Sequence, residues 1–303
     1  MFMKNKGIVF LCMILAVTCI SQEPIYAANW DYEYENNADL LYSGSSAEIA
    51  VFLNTIANNQ ETEAVKEVAD QSNLWEEAIS EGYIYMDIDG HFKISERENV
   101  TDLEKYKIFE SELETWNWAL DLQVLKWDTE RRVLYTPEIT EEIIDNIMTT
   151  TLQMGSEICE EKIATRAVGH YCGYDKWNLD ATCRQNYNLI KDFYNSMVKA
   201  QSDGTNVNPW LSTATYWVGL VREKGLWDYK VQKNYEVFCC TVGGVGGQDR
   251  SAEWIGNYNY GYTGKFLFNL DALHTGSLVV AKLDPKDKVS DWPAIDKGYA
   301  NAP

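Results

Sequence analysis

Apolar side chains recur at helical spacing along most of this 303-residue chain. Residues three or four positions apart lie on the same face of an α-helix, so each run predicts a helix that buries one stripe of its surface. The predicted stripes are Ile49, Val51, Phe52 and Ile56; Val65, Val68, Leu74 and Trp75; Leu103, Ile108, Leu113, Trp116, Leu120 and Val124; Ile139, Ile143, Ile144, Ile147 and Met148; in residues 181–200, Tyr187, Ile190, Phe193, Tyr194 and Met197; and in residues 210–223, Trp210, Ala214, Trp217, Val218 and Val221. The fold class is therefore predicted to be mainly α.

Short motifs mark where several of these helices begin and end. Ser46 is a candidate N-cap for a helix that starts at the next residue, and residues 101–104 have the pattern of a capping box. Pro137 is predicted at the first position of a helix, where its missing N–H removes no hydrogen bond. Gly225 is predicted to stop the last of the helices described above.

Glycine and aspartate predict two interruptions of the helical pattern. Asp89-Gly90 separates the alternating segments 83–85 and 92–94, which is typical of a small β-hairpin because this pair tolerates positive φ. His91 follows that turn, and we expect it to be exposed rather than catalytic. Residues 241–249 contain four glycines and are predicted to form a flexible loop.

Charge divides the chain into two parts. Residues 205–303 carry ten basic and ten acidic side chains, whereas the upstream part carries 16 and 36, which accounts for the whole net charge of −20. Acidic surfaces repel phosphate, so the upstream part is a poor candidate for nucleic-acid binding and is predicted to be solvated helix surface. The alternative is that it shields or mimics a charged ligand of the downstream part. The turn formers in 202–209 place a boundary here. The predicted domains are an acidic helical region with a hairpin, 28–204, and a mostly helical region with Gly-rich loops, 205–303.

The first 27 residues have the pattern of a secretory signal peptide. Lys4 and Lys6 precede an apolar run over 7–20, and small residues lie before a cut ahead of Ala28. We therefore expect a secreted, extracellular protein, with a retained signal anchor as the alternative. No later run approaches the length of about 18 apolar residues needed to span a bilayer, so no stable membrane anchor is expected.

The cysteines outside the leader are odd in number. They are Cys159, Cys172, Cys183, Cys239 and Cys240. At least one thiol is expected to stay free or to pair between chains, and Cys172 and Cys183 are spaced to close a short loop. His170 beside Cys172 suggests zinc, but the paired ligand spacing of zinc sites is missing. We expect no metal and no cofactor.

Two polar segments in the downstream region supply the candidate site. Asp228 is predicted to act as general base and Lys230 to stabilise a developing negative charge, and an ordinary surface ion pair is the alternative. Asn257 and Tyr260 are predicted to share that pocket, and His274 is a second candidate acid or base, with a helix-surface histidine as its alternative. The predicted substrate-binding residues are Trp227, Gly256, Asn259, Gly261 and Lys265. Glycine permits positive φ and close backbone approach, so a tight turn alone is the alternative for this segment.

The same segments carry a family resemblance. It is carried by Trp217, by Gly225-x-Trp-Asp-x-Lys and by the later Glu-Trp-Ile-Gly-Asn-x-x-Tyr-Gly-x-Thr-Gly. Over about residues 205–303, these elements together resemble the type 44 domain of bacterial polymorphic toxins. This resemblance implies a mostly helical toxic effector domain at the end of exported bacterial proteins, a nuclease-like activity and a cognate immunity protein. Phe268 stands where the family pattern has glycine, and the loop at 239–249 is particular to this chain.

Two functions follow from these observations. The first is an exported effector that hydrolyses a macromolecule, either RNA or a cell-wall component. The neutral downstream charge weakens the RNA version, although a local patch of Lys224, Lys230, Lys233 and Lys265 keeps it open. The alternative is a non-catalytic secreted module that binds glycan or protein, which exposed Trp and Tyr clusters would favour. The oligomeric state does not follow from the sequence.

Overall fold

The computed structural model describes residues 45–54 except 48 and 52, together with 74–95, 103–163, 170–171, 177–222, 224–229, 237–280 and 287–303. Residues 46, 47, 49–51, 53 and 54 are helical. The helices that follow are α1 (Leu74–Ser80), α2 (Leu103–Asp121), α3 (Glu141–Ile163), α4 (Leu179–Ser202), α5 (Pro209–Val221), α6 (Ala252–Gly264), α7 (Leu270–Val280) and α8 (Asp287–Asn301). The prediction of a mainly α fold is confirmed at this level.

Three small sheets accompany the helices. Strand β1 (Ile84–Met86) pairs antiparallel with β2 (Phe92–Ile94), and β3 (Lys126–Asp128) pairs antiparallel with β4 (Val133–Tyr135). The third sheet is built on β7 (Val237–Val242), which pairs parallel with β5 (His170–Tyr171) and β6 (Trp177–Asn178) and antiparallel with β8 (Val245–Ser251).

The two interruptions that the sequence predicts, at 83–94 and 241–249, are both β-hairpins. The predicted hairpin at 83–94 is confirmed, with Gly90 at φ 81° and Asp87 accepting from the backbone N–H of Asp89 and His91. The flexible loop predicted at 241–249 is wrong, because this segment is the β7–β8 hairpin. Gly243 and Gly244, at φ 60° and 75°, supply the two positive φ values that a tight hairpin turn requires.

One predicted helix start is wrong. The sequence predicts a helix from Pro137, but α3 begins at Glu141. Thr136 is held from the α5 side instead: its hydroxyl accepts from the Asn208 N–H at 2.8 Å and contacts the Ser212 hydroxyl at 2.8 Å. Within the segment, the side chain of Asn54 accepts from the Ile139 N–H at 2.7 Å and donates to the Ile139 carbonyl at 2.6 Å, which occupies backbone groups that a helix would use.

Several other predicted features can be compared with the structure. Asn178 caps α4, which begins at Leu179, two residues ahead of the predicted start. The predicted capping box begins with Thr101 and Asp102, which lie outside the described residues. Phe52, Ile56, Val65 and Val68 lie outside them as well. Val51 is 58% exposed, so its predicted inward position is wrong; Ala50 and Leu53 face the core instead.

The largest hydrophobic core runs through both predicted regions. Helix α5 lies at its centre, packed on α3 and α4, with Ala214, Trp217 and Leu220 buried. The same core holds Trp116 of α2 and Ile295 of α8. The division at residue 204 stays a prediction, but it does not coincide with a break in packing.

A second core lies between the β7 sheet and α6. Cys183 and Cys240 are buried in it, and these two residues and Cys239 are free thiols. Cys172, the predicted partner of Cys183, lies outside the described residues. Across the part of the chain that the structure describes, no helix is both long and apolar enough to cross a membrane.

Candidate functional site

The Gly-Asn-Tyr-Gly motif lies within a helix and not in a turn. Ser251 caps α6, and Gly256, Gly261 and Gly264 all fall inside it, so the tight turn given as the alternative for this segment is wrong. Close backbone approach is confirmed at one of them: a Cβ on Gly261 would lie 2.2 Å from the carbonyl oxygen of Ile295 in α8. A Cβ on Gly256 would have no atom within 4 Å, and this glycine is half-buried.

Asn259 and the Trp-Asp-Tyr segment meet inside the protein. Asn259 is fully buried, and its Oδ1 accepts from Asn186 Nδ2 at 2.9 Å. The same Asn186 nitrogen donates to the Tyr229 hydroxyl at 3.2 Å. Thr263 donates to the Asn259 carbonyl and accepts from the Trp217 indole, which extends the chain of contacts into α5. Asn259 thus joins helices within the core, where a macromolecular substrate has no access.

Asp228 and Trp227 close the turn that follows α5. Asp228 is 8% exposed, and its Oδ2 accepts from the backbone N–H of Lys224 at 2.9 Å, a residue with φ 67°. The Trp227 N–H donates to the Leu220 carbonyl, and its side chain is buried. Lys230 lies outside the described residues. The position of Asp228 favours a structural carboxylate over the predicted general base.

Tyr260 and Lys265 are tied to the backbone of neighbouring helices. The Tyr260 hydroxyl donates to the Leu273 carbonyl at 3.2 Å, and burial raises its pKa, so the phenol remains protonated and does not act as a base. Lys265 Nζ donates to the Ala302 carbonyl at 2.9 Å, just after the end of α8. Asn257 is half-buried in α6.

His274 is the predicted residue whose surroundings suit proton transfer. Its Nε2 lies 2.6 Å from Oδ1 of Asp296, and its ring stacks on Trp292 with centroids 4.4 Å apart and planes 10° apart. The His274 side chain is 17% exposed and that of Asp296 is 51% exposed, so the pair reaches solvent. Asp296 and Trp292 are not among the site residues predicted from the sequence. Their i, i+4 spacing on α8 is the only sequence signal for them, and it does not identify the partner.

A second histidine–aspartate pair lies elsewhere in the chain. His91, in the β1–β2 turn, is bonded through Nε2 to Oδ1 of Asp121 at 2.8 Å, with 32% and 46% of the two side chains exposed. The expectation that His91 is exposed is therefore only partly met. This pair has the same chemistry as His274 and Asp296 in a different part of the fold, so it serves as a reference for experiments.

An open acidic groove lies along the first part of α3. Its volume is about 570 Å³. The lining residues are Gln123, Glu141, Glu142, Asp145, Asn146 and Thr149. The carboxylates there would repel phosphate, so the groove is poorly suited to a nucleic acid.

Among the residues that the sequence predicts for the site and the structure describes, His274 is the one paired with a carboxylate, that of Asp296. An imidazole can accept a proton and return it, and a carboxylate on its other nitrogen stabilises the resulting positive charge. The described residues contain no cluster of three or more histidine, cysteine or carboxylate side chains arranged to hold a metal ion. Comparisons of the chain with protein-family models, with curated proteins and with solved structures give no match.

Proposed function

We propose that this chain is an exported bacterial effector whose downstream region hydrolyses a macromolecule of a target cell, with His274 and Asp296 as the proton-transfer pair. The observation that supports this proposal most directly is the 2.6 Å contact between His274 Nε2 and Asp296 Oδ1 at a partly exposed position. The predicted signal peptide supports export, and the resemblance to type 44 toxin domains supports a role as an effector.

Hydrolysis of a phosphodiester, glycosidic or amide bond requires proton transfer at two points. A proton leaves the attacking oxygen, and a proton reaches the leaving group. One imidazole can carry out both transfers in succession, provided that its orientation is fixed. Asp296 supplies that fixation from α8, because it holds one ring nitrogen while the rest of the side chain reaches out from α7.

A cell-wall component is the substrate class that we favour over RNA. Residues 205–303 are formally neutral, whereas nucleic-acid binders usually present a basic surface. Of the four lysines in the predicted basic patch, Lys265 is bonded to the Ala302 carbonyl, and Lys230 and Lys233 lie outside the described residues. The substrate would then be met outside the cytoplasm, where an exported protein arrives first.

The alternative is a non-catalytic secreted module for glycan or protein. That function would need a cluster of exposed aromatic rings. Among the described residues, Tyr85 is the one aromatic side chain in the set of exposed large apolar residues, and most of the Trp and Tyr rings of the downstream region pack inward. The structural support for the alternative is correspondingly weaker.

A growth assay separates these possibilities. The chain from Ala28 is expressed in a susceptible bacterium, either in the cytoplasm or directed to the periplasm. The upstream region is retained because it shares a core with the downstream one. We expect inhibition from the periplasm, and we expect His274→Gln and Asp296→Asn to abolish it. His91→Gln is the matched control and should remain inhibitory.

The outcomes assign the function. Inhibition from the cytoplasm alone would point to RNA. Full inhibition by the His274 and Asp296 variants would exclude this pair as the catalytic centre. Harmlessness in both compartments would favour the binding module. A cognate immunity protein, which the resemblance implies, would be sought as a neighbouring product that relieves the inhibition.

A further inference from the structure

Trp292 lies flat against the imidazole of His274. The ring centroids are 4.4 Å apart and the planes differ by 10°, which is a face-to-face arrangement. Trp292 and Asp296 are four residues apart on α8, so one face of a single helix supplies both the surface beneath the imidazole and the carboxylate at its edge.

We infer that Trp292 is a positioning residue of the proposed proton-transfer pair, holding the His274 ring so that Nε2 stays on Asp296 and Nδ1 is the nitrogen that faces a substrate. This inference rests on the proposed function for its catalytic meaning. Trp292 touches no reacting atom in this scheme and acts through the histidine.

The carboxylate determines which nitrogen carries the proton. An ionised carboxylate accepts hydrogen bonds and cannot donate them, so Nε2 must be the donor in its contact with Asp296. In the neutral ring the lone pair therefore lies on Nδ1. No described hydrogen bond engages Nδ1. It is the atom that can take a proton from the attacking oxygen and return it to the leaving group, while Nε2–H remains on Asp296.

The stacked indole determines the plane of the ring. Rotation of an imidazole about its terminal bond is soft, because such torsions have broad minima. Trp292 blocks that rotation from one side, and packing against the main core restrains its own indole. The hydrogen bond alone restrains one atom of the ring, whereas the bond and the stack together restrain the whole ring.

Tyr260, which the sequence predicts to be catalytic, restrains the helix that carries His274. Tyr260 donates to the carbonyl of Leu273, the residue that precedes His274, and its ring packs on Trp217 with centroids 5.0 Å apart. This contact restrains the backbone of α7 at the histidine. Trp292 restrains the side chain.

Nuclear magnetic resonance of histidine labelled with 15N and 13C tests the inference without an activity assay. The chain contains three histidines, so His91→Gln and His274→Gln assign the ring signals. We expect the His274 ring protons to be shifted upfield by the indole ring current, and its neutral form to carry the proton on Nε2. Trp292→Leu should remove the upfield shift and mix the two tautomers. Trp292→Phe, which keeps a flat aromatic face, should restore a single tautomer.

Hydrolysis by the purified protein provides the second measurement. With the cell-wall substrate we expect Trp292→Leu to lower kcat by about tenfold or more with little change in KM, because misplacing a catalytic group slows the chemical step. Trp292→Phe should recover most of kcat. Ring signals of His274 that are unchanged in Trp292→Leu would overturn the inference, and so would wild-type kcat in that variant.

Failure of the inference and failure of the proposed function are distinguishable. A wild-type protein that hydrolyses neither cell wall nor RNA would remove the function, and the positioning role with it, whatever the ring signals show. Hydrolysis that needs His274 but tolerates Trp292→Leu would retain the function and overturn the role of Trp292.

Discussion

Tyr258 in α6 donates its hydroxyl to Oδ1 of Asp180 at 2.8 Å, joining residues 78 positions apart. The same carboxylate accepts from the backbone N–H groups of Gly243 and Gly244 at 3.0 and 2.9 Å. Asn301, at the end of α8, donates to the Tyr258 hydroxyl. Asp180 therefore joins the start of α4 to the β7–β8 turn and to α6, and Tyr258 extends the junction to α8.

Replacing Asp180 should loosen this junction. Asp180→Asn removes the charge and places an amide N–H opposite a donor, so we expect a loss of about 2 kcal/mol in the free energy of unfolding. Urea unfolding followed by circular dichroism measures it. Asp192→Asn, at an exposed position of the same helix, is the control and should change stability little. Equal effects of the two substitutions would contradict the structural role of Asp180.

Gly261 should not tolerate a side chain, because α6 and α8 touch at backbone distance there. The Ile295 carbonyl would lie 2.2 Å from the new Cβ and cannot move without shifting α8. We expect Gly261→Ala to cost about 1–3 kcal/mol by overpacking. Gly256→Ala in the same helix has open space around its Cβ and should be neutral or gain up to about 1 kcal/mol from helix propensity. Thermal unfolding of both variants would show whether they diverge in this way.

Asp203 should make stability depend on pH in the mildly acidic range. The residue is 6% exposed, and burial raises the pKa of its carboxyl to about 6, with Lys199 opposing and Glu112 reinforcing the shift. A raised folded-state pKa stabilises the protein below the unfolded-state pKa of about 4, and this contribution is lost as pH rises through about 6.

The substitution Asp203→Asn isolates that dependence. Asparagine cannot ionise, and the backbone contact from the Trp75 N–H to the carbonyl of residue 203 is retained. We expect the wild type to lose on the order of 2 kcal/mol relative to the variant between pH 4 and pH 7. Urea unfolding at four pH values measures the difference. Parallel profiles would show that this carboxyl has the same pKa in the folded and unfolded states.

Asp228 should affect folding rather than catalysis. Asp228→Ala leaves the Lys224 N–H without its acceptor in a turn of positive φ, and we expect a loss of about 1–3 kcal/mol. Asp228→Asn keeps an acceptor oxygen and should be milder. Hydrolysis per folded molecule should stay at the wild-type level in both. A variant that is fully folded but inactive would return Asp228 to the active site.

The helical periodicity of the sequence was enough to predict the position of α4 and α5 and the buried positions Trp116, Ile147 and Ile190. It did not predict α6, because glycine lowers helix propensity and the gain that offsets it comes from packing on α8, which local sequence does not report. The β7–β8 strands were missed for a similar reason, since their glycines suggest a loop until strand partners are known.

The candidate site was predictable only in part. His274 stood out as a titratable side chain in the right region. Its partners did not, because Asp296 is 22 positions away on another helix and becomes a neighbour through the packing of α7 on α8. The polar side chains of Asn259 and Asp228 suggested a pocket. Both are buried, however, and buried polar groups usually form hydrogen bonds within the protein instead of facing a substrate.

The hydrophobic core is continuous across residue 204, and this affects whether residues 205–303 can be transferred to another protein. A segment beginning at 205 would leave behind α4, whose Phe193 packs on Tyr216 of α5 with ring centroids 4.7 Å apart, and would expose that apolar face to water. We therefore expect a chimera that carries residues 205–303 to fold only if the upstream helices are included.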